Sequence, residues 1–235
     1  MLTHDLSCRR GSVSSPSVNE KPKILLPLLL MAAFAGTRWP GLLPPNFSAA
    51  YALVFCAGVY LPRRLSWWAP LATLLLTDVA LNLYYYLWLD IPAFKWTQLI
   101  NYFVYLAVVW LGTAFHPTSS FLKLLGGGLL AAVFFYLVTN TASWFFNPFG
   151  NAEYTRDLAG WIGALTRGTA GWPATWALFR NTLMSGGLFT GWFVGAMKLS
   201  QSAASAESAR EKAPPEPVEP PEEAVSEAGG QETHA

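Results

Sequence analysis

The residues best suited to chemistry in this sequence are Asp78 and Asn82, which fall inside a long apolar segment. That segment, residues 65–89, is long enough to cross a bilayer as an α-helix. Side chains four residues apart lie on one helical face, so Asp78 and Asn82 share their neighbours. A carboxylate near the membrane midplane costs roughly 2.5–3.5 kcal/mol on insertion scales, so it usually faces the protein interior with a partner. Two interpretations follow, a functional polar site or an interhelical hydrogen bond that only holds helices together.

The composition predicts one integral membrane domain with polar ends. Hydrophobic residues make up 53% of the chain and charged residues only 12%, which is about half the charged fraction of an ordinary soluble domain. Fewer than half of the charges fall between residues 24 and 200. We predict a disordered basic, Ser-rich tail over residues 1–23, a transmembrane domain over 24–200, and a disordered Pro/Glu/Ala-rich tail over 201–235.

Several functional classes are disfavoured by what the sequence lacks. A net charge of +1, without a basic patch, gives no case for a nucleic-acid partner. The two cysteines and three histidines are too scattered for a disulfide framework, a metal site or a haem or iron–sulfur centre. No second acid at helical spacing and no nucleophile–base pair accompanies Asp78. We therefore predict no enzymatic activity, no catalytic residue, no metal and no cofactor.

Six apolar segments predict an all-α integral membrane protein, a bundle of six transmembrane helices. The connection between the fifth and sixth segments is long, which is typical of a functional or partly helical element such as an interfacial helix or a lid. The distribution of Lys and Arg favours both termini in the cytoplasm, and thus a multi-pass protein of the cytoplasmic membrane (N-in/C-in). The six segments are residues 24–39, 47–61, 65–89, 96–115, 121–146 and 174–200.

With this orientation, polar side chains fall in the outer half of every predicted helix. We predict that they line an outward-facing pocket, and the scarcity of fixed charge suits a small, largely neutral solute, such as a vitamin or nucleobase-like ring. We also hypothesise that Asp78 pairs with Arg180 at the pocket floor, the alternative being that Arg180 extends to the outer headgroups. The predicted substrate-binding residues are Arg38, Asn46, Asp78, Asn82, Asn101, Asn140, Arg180 and Asn181.

Small residues recur at four-residue spacing on two predicted helices. Gly187, Gly191 and Gly195 form a stripe on the sixth helix, and Ala32 and Gly36 form a shorter pair on the first. Such stripes allow close contact between helices. They indicate either internal packing or a docking face for another membrane subunit.

Several motifs resemble those of a known family. Arg38, Pro45-Asn46-Phe47, Pro62-Arg63-Arg64 and Leu75-Leu76-Thr77-Asp78 occur in its order, followed by Val138-Thr139-Asn140 and Phe179-Arg180-Asn181-Thr182-Leu183. Residues 24–200 thereby resemble an uncharacterised family of bacterial integral membrane proteins (DUF6580-like), which is similar to the substrate-binding S components of energy-coupling-factor transporters.

This resemblance implies a six-helix S-component fold that captures a small nutrient. It also implies partnership with a transmembrane coupling subunit and cytosolic ATPases. A second hypothesis is a non-transporting scaffold or assembly subunit of cell-envelope machinery, in which the small-residue stripes matter and the polar residues are structural. Alanine substitution at Asn101 and Asn140 discriminates the two, because only solute capture requires those amides.

Overall fold

The computed structural model describes residues 25–39, 41–90 and 96–212. Within these ranges the chain forms seven α-helices and no β-strand, which confirms the prediction of an all-helical protein. The predicted tail 1–23 and residues 213–235 of the other predicted tail lie outside the described residues. The helices are α1 (Leu25–Thr37), α2 (Ala50–Tyr60), α3 (Arg63–Leu89), α4 (Gln98–Thr113), α5 (Phe121–Phe146), α6 (Leu158–Thr166) and α7 (Thr175–Lys212).

Two helices depart from the predicted segments. Helix α6 lies inside the connection predicted between the last two spans. Helix α7 continues to Lys212, whereas the sequence analysis ended the helix at residue 200. The added residues are mostly Ala, Glu, Gln, Lys, Arg and Ser, and all of these except Ser are strong helix formers. Contacts divide the chain into two compact units, the first ending at Met197 and the second starting at Lys198.

Helix α5 is the one helix in the described part of the chain that is long and apolar enough to cross a membrane. It has 26 residues, whereas the other strongly apolar helices, α2 and α4, have 11 and 16. A bilayer core about 30 Å thick needs roughly 20 helical residues. By length and composition, the structure therefore supports one membrane-spanning helix.

Helix α2 is the centre of the first unit. Its residues from Ala50 to Val59 are all buried, and it contacts α1, α3, α4 and α5. Its sequence is apolar on every face, which is the pattern of a helix surrounded by others.

Two glycines bring the backbones of α2 and α4 into direct contact. A Cβ atom on Gly58 would lie 2.3 Å from the carbonyl oxygen of Val109, and one on Gly112 would lie 2.3 Å from that of Phe55. These distances are far below van der Waals contact. The two backbones therefore touch where neither helix has a side chain.

The stripe predicted on the last helix is not the closest contact of α7. A Cβ atom added to Gly187 would meet Leu129 of α5 at ordinary van der Waals distance. A Cβ added to Gly36 or Gly195 would meet no described atom within 4 Å. Gly191 likewise touches only side chains of α5, and Ala32 is exposed. The tight approach of α5 to α7 uses Gly128 and Gly186, which face Thr190 and Ala132.

Three hydrogen bonds join α5 to α6 and to the residues just before α6. The indole of Trp144 donates to the Thr155 carbonyl at 2.7 Å, and the indole of Trp161 donates to the Thr141 hydroxyl at 3.0 Å. The Tyr136 hydroxyl donates to the Leu165 carbonyl. These bonds hold α6 along the second half of α5.

Two carboxylates stabilise the ends of this segment. Asp157 is the N-cap of α6 and accepts the Gly160 N–H at 2.7 Å, and Glu153 accepts the Ala170 N–H at 3.0 Å. Both bonds favour the ionised form, so they lower the pKa of each carboxyl below its ordinary value.

We predict that Gly58→Ala destabilises the protein by about 1–3 kcal/mol, because the added methyl group must push apart two backbones. The matched control is Gly126→Ala in α5, where a Cβ meets nothing within 4 Å. Alanine there is expected to be neutral or to stabilise the helix by up to about 1 kcal/mol. Thermal unfolding in mild detergent measures both, and equal melting temperatures for the two variants would contradict the glycine contact.

We predict that α6 loosens in acid. Because the folded pKa of Asp157 and Glu153 is depressed, their stabilising effect is complete above the ordinary carboxyl pKa values, 3.8 and 4.5. It is lost as the pH falls through the lower folded values. Hydrogen exchange of residues 155–170, corrected for intrinsic rates, should show this opening below about pH 4.5.

The control for this prediction is the Asp157→Asn/Glu153→Gln variant, which keeps acceptors that do not titrate. Its exchange should change little with pH. An opening of the same size in both proteins would assign it to other groups.

Candidate functional site

Asp78 is the centre of a polar cluster formed by three helices. Its Oδ1 atom lies 2.6 Å from an Nη atom of Arg38, and its Oδ2 atom accepts the hydroxyl of Tyr102 at 2.6 Å. The second Nη atom of Arg38 donates to the Thr77 hydroxyl at 2.8 Å. We call Arg38, Thr77, Asp78 and Tyr102 the Asp78 cluster.

Each member reaches the cluster because of its place on its helix. Arg38 directly follows the last residue of α1, so its long side chain extends beyond that helix towards α3. Asp78 and Thr77 lie in the middle of α3, and Tyr102 lies in the second turn of α4. The side chains of Arg38 and Asp78 are only 22% and 13% exposed, so the ion pair is largely removed from water. It is the kind of pair in which loss of one partner leaves an uncompensated charge.

The predicted pair between Asp78 and Arg180 is wrong. Arg180 is exposed, and its guanidinium lies 5.9 Å from the ring centroid of Trp176 in α7. Arg38 forms the ion pair with Asp78 instead, because α1 packs directly against α3. The exposed position of Arg180 agrees with the alternative in which this side chain extends outward.

The other predicted residues make separate contacts. Asn82 donates to the side-chain oxygen of Gln98 at 3.4 Å, whereas Asn140 donates to the Tyr136 carbonyl of its own helix at 2.8 Å. Asn181 donates to the Pro45 carbonyl at 3.0 Å. Asn46 is exposed in a turn and has a left-handed backbone (φ 58°), which asparagine tolerates better than most residues. Of the eight residues predicted to line one pocket, Arg38 and Asp78 contact each other, and the structure gives no hydrogen bond that joins the others.

A polar cavity of about 270 Å³ lies between α4 and α5. Asn101 is the one predicted site residue that lines it, and its amide has no hydrogen-bond partner among the described residues. No lining residue is charged. The cavity therefore offers amides and hydroxyls for hydrogen bonding, beside apolar walls. Its lining residues are Thr97, Gln98, Ile100, Asn101, Thr139, Ala142, Ser143, Pro148 and Phe149.

The cavity and the Asp78 cluster are neighbours along α3 and α4. Tyr102, which binds Asp78, follows Asn101, and Asn82 lies one turn beyond Asp78 and binds Gln98. The polar face of α3 therefore fixes the turns of α4 that line the cavity. Asp78 itself does not line the cavity.

Sequence reasoning missed Gln98 and Tyr102. Residues 98, 101, 102 and 105 follow the i, i+3, i+4, i+7 spacing of one helical face, and all four are polar or tyrosine. That pattern was the available signal. It identifies the face of α4 that meets α3 and borders the cavity.

We predict that Arg38 and Asp78 are energetically coupled and that Arg180 and Asp78 are not. Either Arg38→Met or Asp78→Leu alone leaves a largely buried charge, at a cost of up to about 3–5 kcal/mol. The double variant should lose much less than the sum of the two. Thermal unfolding in detergent of all single and double variants gives both coupling energies.

The control pair for this cycle is Arg180→Met with Asp78→Leu, whose effects should add. Coupling between Arg180 and Asp78, or additivity between Arg38 and Asp78, would contradict the observed pair.

Among the described residues, no group of three or more His, Cys, Asp and Glu side chains is arranged to hold a metal ion. No curated protein and no solved structure matches the chain. One protein family does match, described as "Family of unknown function (DUF6580)", over residues 18–209. Because this match covers most of the 235 residues, the chain belongs to the DUF6580 family.

Proposed function

We propose that this protein is a multi-pass membrane protein that binds a small, largely neutral solute in the cavity between α4 and α5. The observation that most supports this proposal is the unpartnered Asn101 amide in an uncharged polar cavity. The Asn101 side chain is half-buried beside the cavity, so its donor and acceptor groups are open to a hydrogen bond with water or a ligand.

The exposed side chains support a lipid environment for more helices than α5. Helix α7 buries Thr182, Ser185 and Thr190 while it exposes large apolar residues. Soluble monomers rarely expose contiguous apolar surface of this extent. Helices α3, α4 and α7 all show such faces, which include Leu76, Leu83, Phe103, Trp110, Leu188 and Trp192.

In this proposal α1–α5 and α7 form the six-helix bundle, with both termini in the cytoplasm according to the Lys/Arg distribution. Helix α2 is short for a spanning helix, since its 11 residues cover about 16 Å. It is surrounded by other helices, so the helix itself is shielded from lipid despite its short length.

The chemistry of the cavity favours a neutral ligand that forms several hydrogen bonds. Arg38 neutralises Asp78, so the charge of the neighbouring cluster is already paired. Gln98, Asn101 and Ser143 supply donors and acceptors, and Phe149 supplies an aromatic surface. These groups suit a flat, polar ring such as a vitamin or nucleobase-like compound.

The proposed role is that of an S-like capture subunit. The protein would present its solute to a transmembrane coupling subunit with cytosolic ATPases, since no nucleotide-binding motif occurs in its own sequence. The argument for this partnership is the resemblance to S components.

One observation favours the second candidate, a membrane scaffold or assembly subunit of cell-envelope machinery. Asp78, Asn82 and Asn181 are all hydrogen-bonded to other parts of the chain, as expected of residues that only hold structural elements together. Under that hypothesis the cavity contains only water.

We predict that Asn101→Ala strongly reduces retention of a bound small molecule. Native mass spectrometry of protein purified from its own host in mild detergent should show this molecule on the wild type and on Asn140→Ala. The second variant is the matched control, because the Asn140 amide is satisfied by its own helix and does not line the cavity. Loss of one buried hydrogen bond to a ligand lowers affinity by roughly tenfold.

Three outcomes separate the hypotheses. Retention by the wild type and Asn140→Ala but not by Asn101→Ala supports the proposed cavity. Equal retention by all three proteins places the ligand elsewhere. Empty protein that co-purifies with a membrane partner favours the scaffold.

A further inference from the structure

Helix α6 has an unusual distribution of side chains for a helix at a protein surface. Its small residues Gly160, Gly163 and Ala164 are buried, while Leu158 and Ile162 are 68% and 48% exposed. A surface helix in water buries its large apolar residues instead. The outward face of α6 is therefore suited to the boundary of a lipid bilayer.

Exposed tryptophans and arginines occur before and after this helix in the sequence, and Arg167 and Trp172 line one groove with Gly163 of α6. Trp172 and Trp176 are 77% and 56% exposed, and Arg156, Arg167 and Arg180 are exposed as well. Tryptophan is enriched where a membrane meets water. We call these five residues the arginine–tryptophan surface.

None of the three arginines is in a salt bridge with a residue that the structure describes. Arg156 lies 5.2 Å from the ring centroid of Phe145, and Arg180 lies 5.9 Å from that of Trp176. Stacking on a ring holds the guanidinium in place and leaves its N–H groups available for an anion.

The acids of this segment are occupied by the backbone. The Asp157 carboxylate accepts the Gly160 N–H and the Thr155 hydroxyl, and the Glu153 carboxylate accepts the Ala170 N–H. Glu153 and Arg167 border one open groove of about 520 Å³ together with Thr169 and Trp172, yet they form no ion pair. The two acids stay ionised, but neither forms an ion pair with the three arginines among the described residues.

We propose that the arginine–tryptophan surface binds the headgroups of anionic phospholipids at the edge of the membrane. Guanidinium groups bind phosphate oxygens in pairs of hydrogen bonds, and each basic residue near an anionic membrane adds to the attraction. The tryptophans place the surface at headgroup depth. This inference rests on membrane insertion in the proposed function, but it does not depend on the solute cavity.

The experiment compares retention of phosphatidylglycerol and phosphatidylcholine. Purified protein in mild detergent is incubated with equal amounts of the two lipids, and native mass spectrometry measures the ratio of retained lipids. The test variant is Arg156→Gln/Arg167→Gln/Arg180→Gln, and the matched control is Arg63→Gln/Arg64→Gln/Lys123→Gln. The control also removes three exposed positive charges, from α3 and α5.

The wild type and the control should retain phosphatidylglycerol preferentially. The test variant should lose this preference by roughly fivefold or more. An equal loss in both variants would show that the lipid preference depends on overall charge. No loss in the test variant would show that these arginines do not bind the lipid. Either result overturns the proposal.

Two further measurements keep the test decisive. Circular dichroism checks that the triple variant folds, and if it does not, the single variant Arg167→Gln is compared with Arg63→Gln in the same assay. Retention of neither lipid by the wild type overturns the proposal together with membrane insertion. Solute retention by the Asn101 variants is measured separately, so failure of the cavity and failure of the lipid surface are distinguishable.

Discussion

The ion pair between Arg38 and Asp78 is the constraint on which the arrangement of the first four helices depends. A carboxylate in the middle of an apolar helix must be neutralised, and Arg38 does so from the end of α1. Tyr102 adds a hydrogen bond from α4. One charged group thereby joins α1, α3 and α4. The glycine contact packs α2 directly against α4.

The same pair also neutralises the acid that lies one turn from Asn82. The residues that line the adjacent cavity are themselves all uncharged. The polar groups between the cluster and the cavity are neutral. Asn82 binds Gln98, and Gln98 lines the cavity together with Asn101. An unneutralised Asp78 would instead favour a cation. The balance of charge in the cluster is thus the physical reason to expect a neutral ligand.

Sequence analysis predicted the helices well because their apolar segments are long. The predicted segment 65–89 differs from α3 only at its start, and 121–146 coincides with α5. Side-chain partners were harder to predict. Spacing places Arg180 at a suitable depth but does not say that its side chain points away from α3. Similarly, regular spacing singled out Gly187 and Gly191, whereas direct contact between two helix backbones uses the isolated Gly58 and Gly112. Only the fold determines which backbones touch.

Helix α5 links the two proposed sites. Thr139 and Ser143 line the cavity, while Thr141 and Trp144, on neighbouring positions of the same helix, hold α6 through hydrogen bonds. Tyr136 completes the attachment at Leu165. A displacement of α6 must therefore break these bonds or move the part of α5 that borders the cavity. The proposed lipid-binding surface and the proposed solute cavity are therefore coupled through α5, which borders the cavity and holds α6.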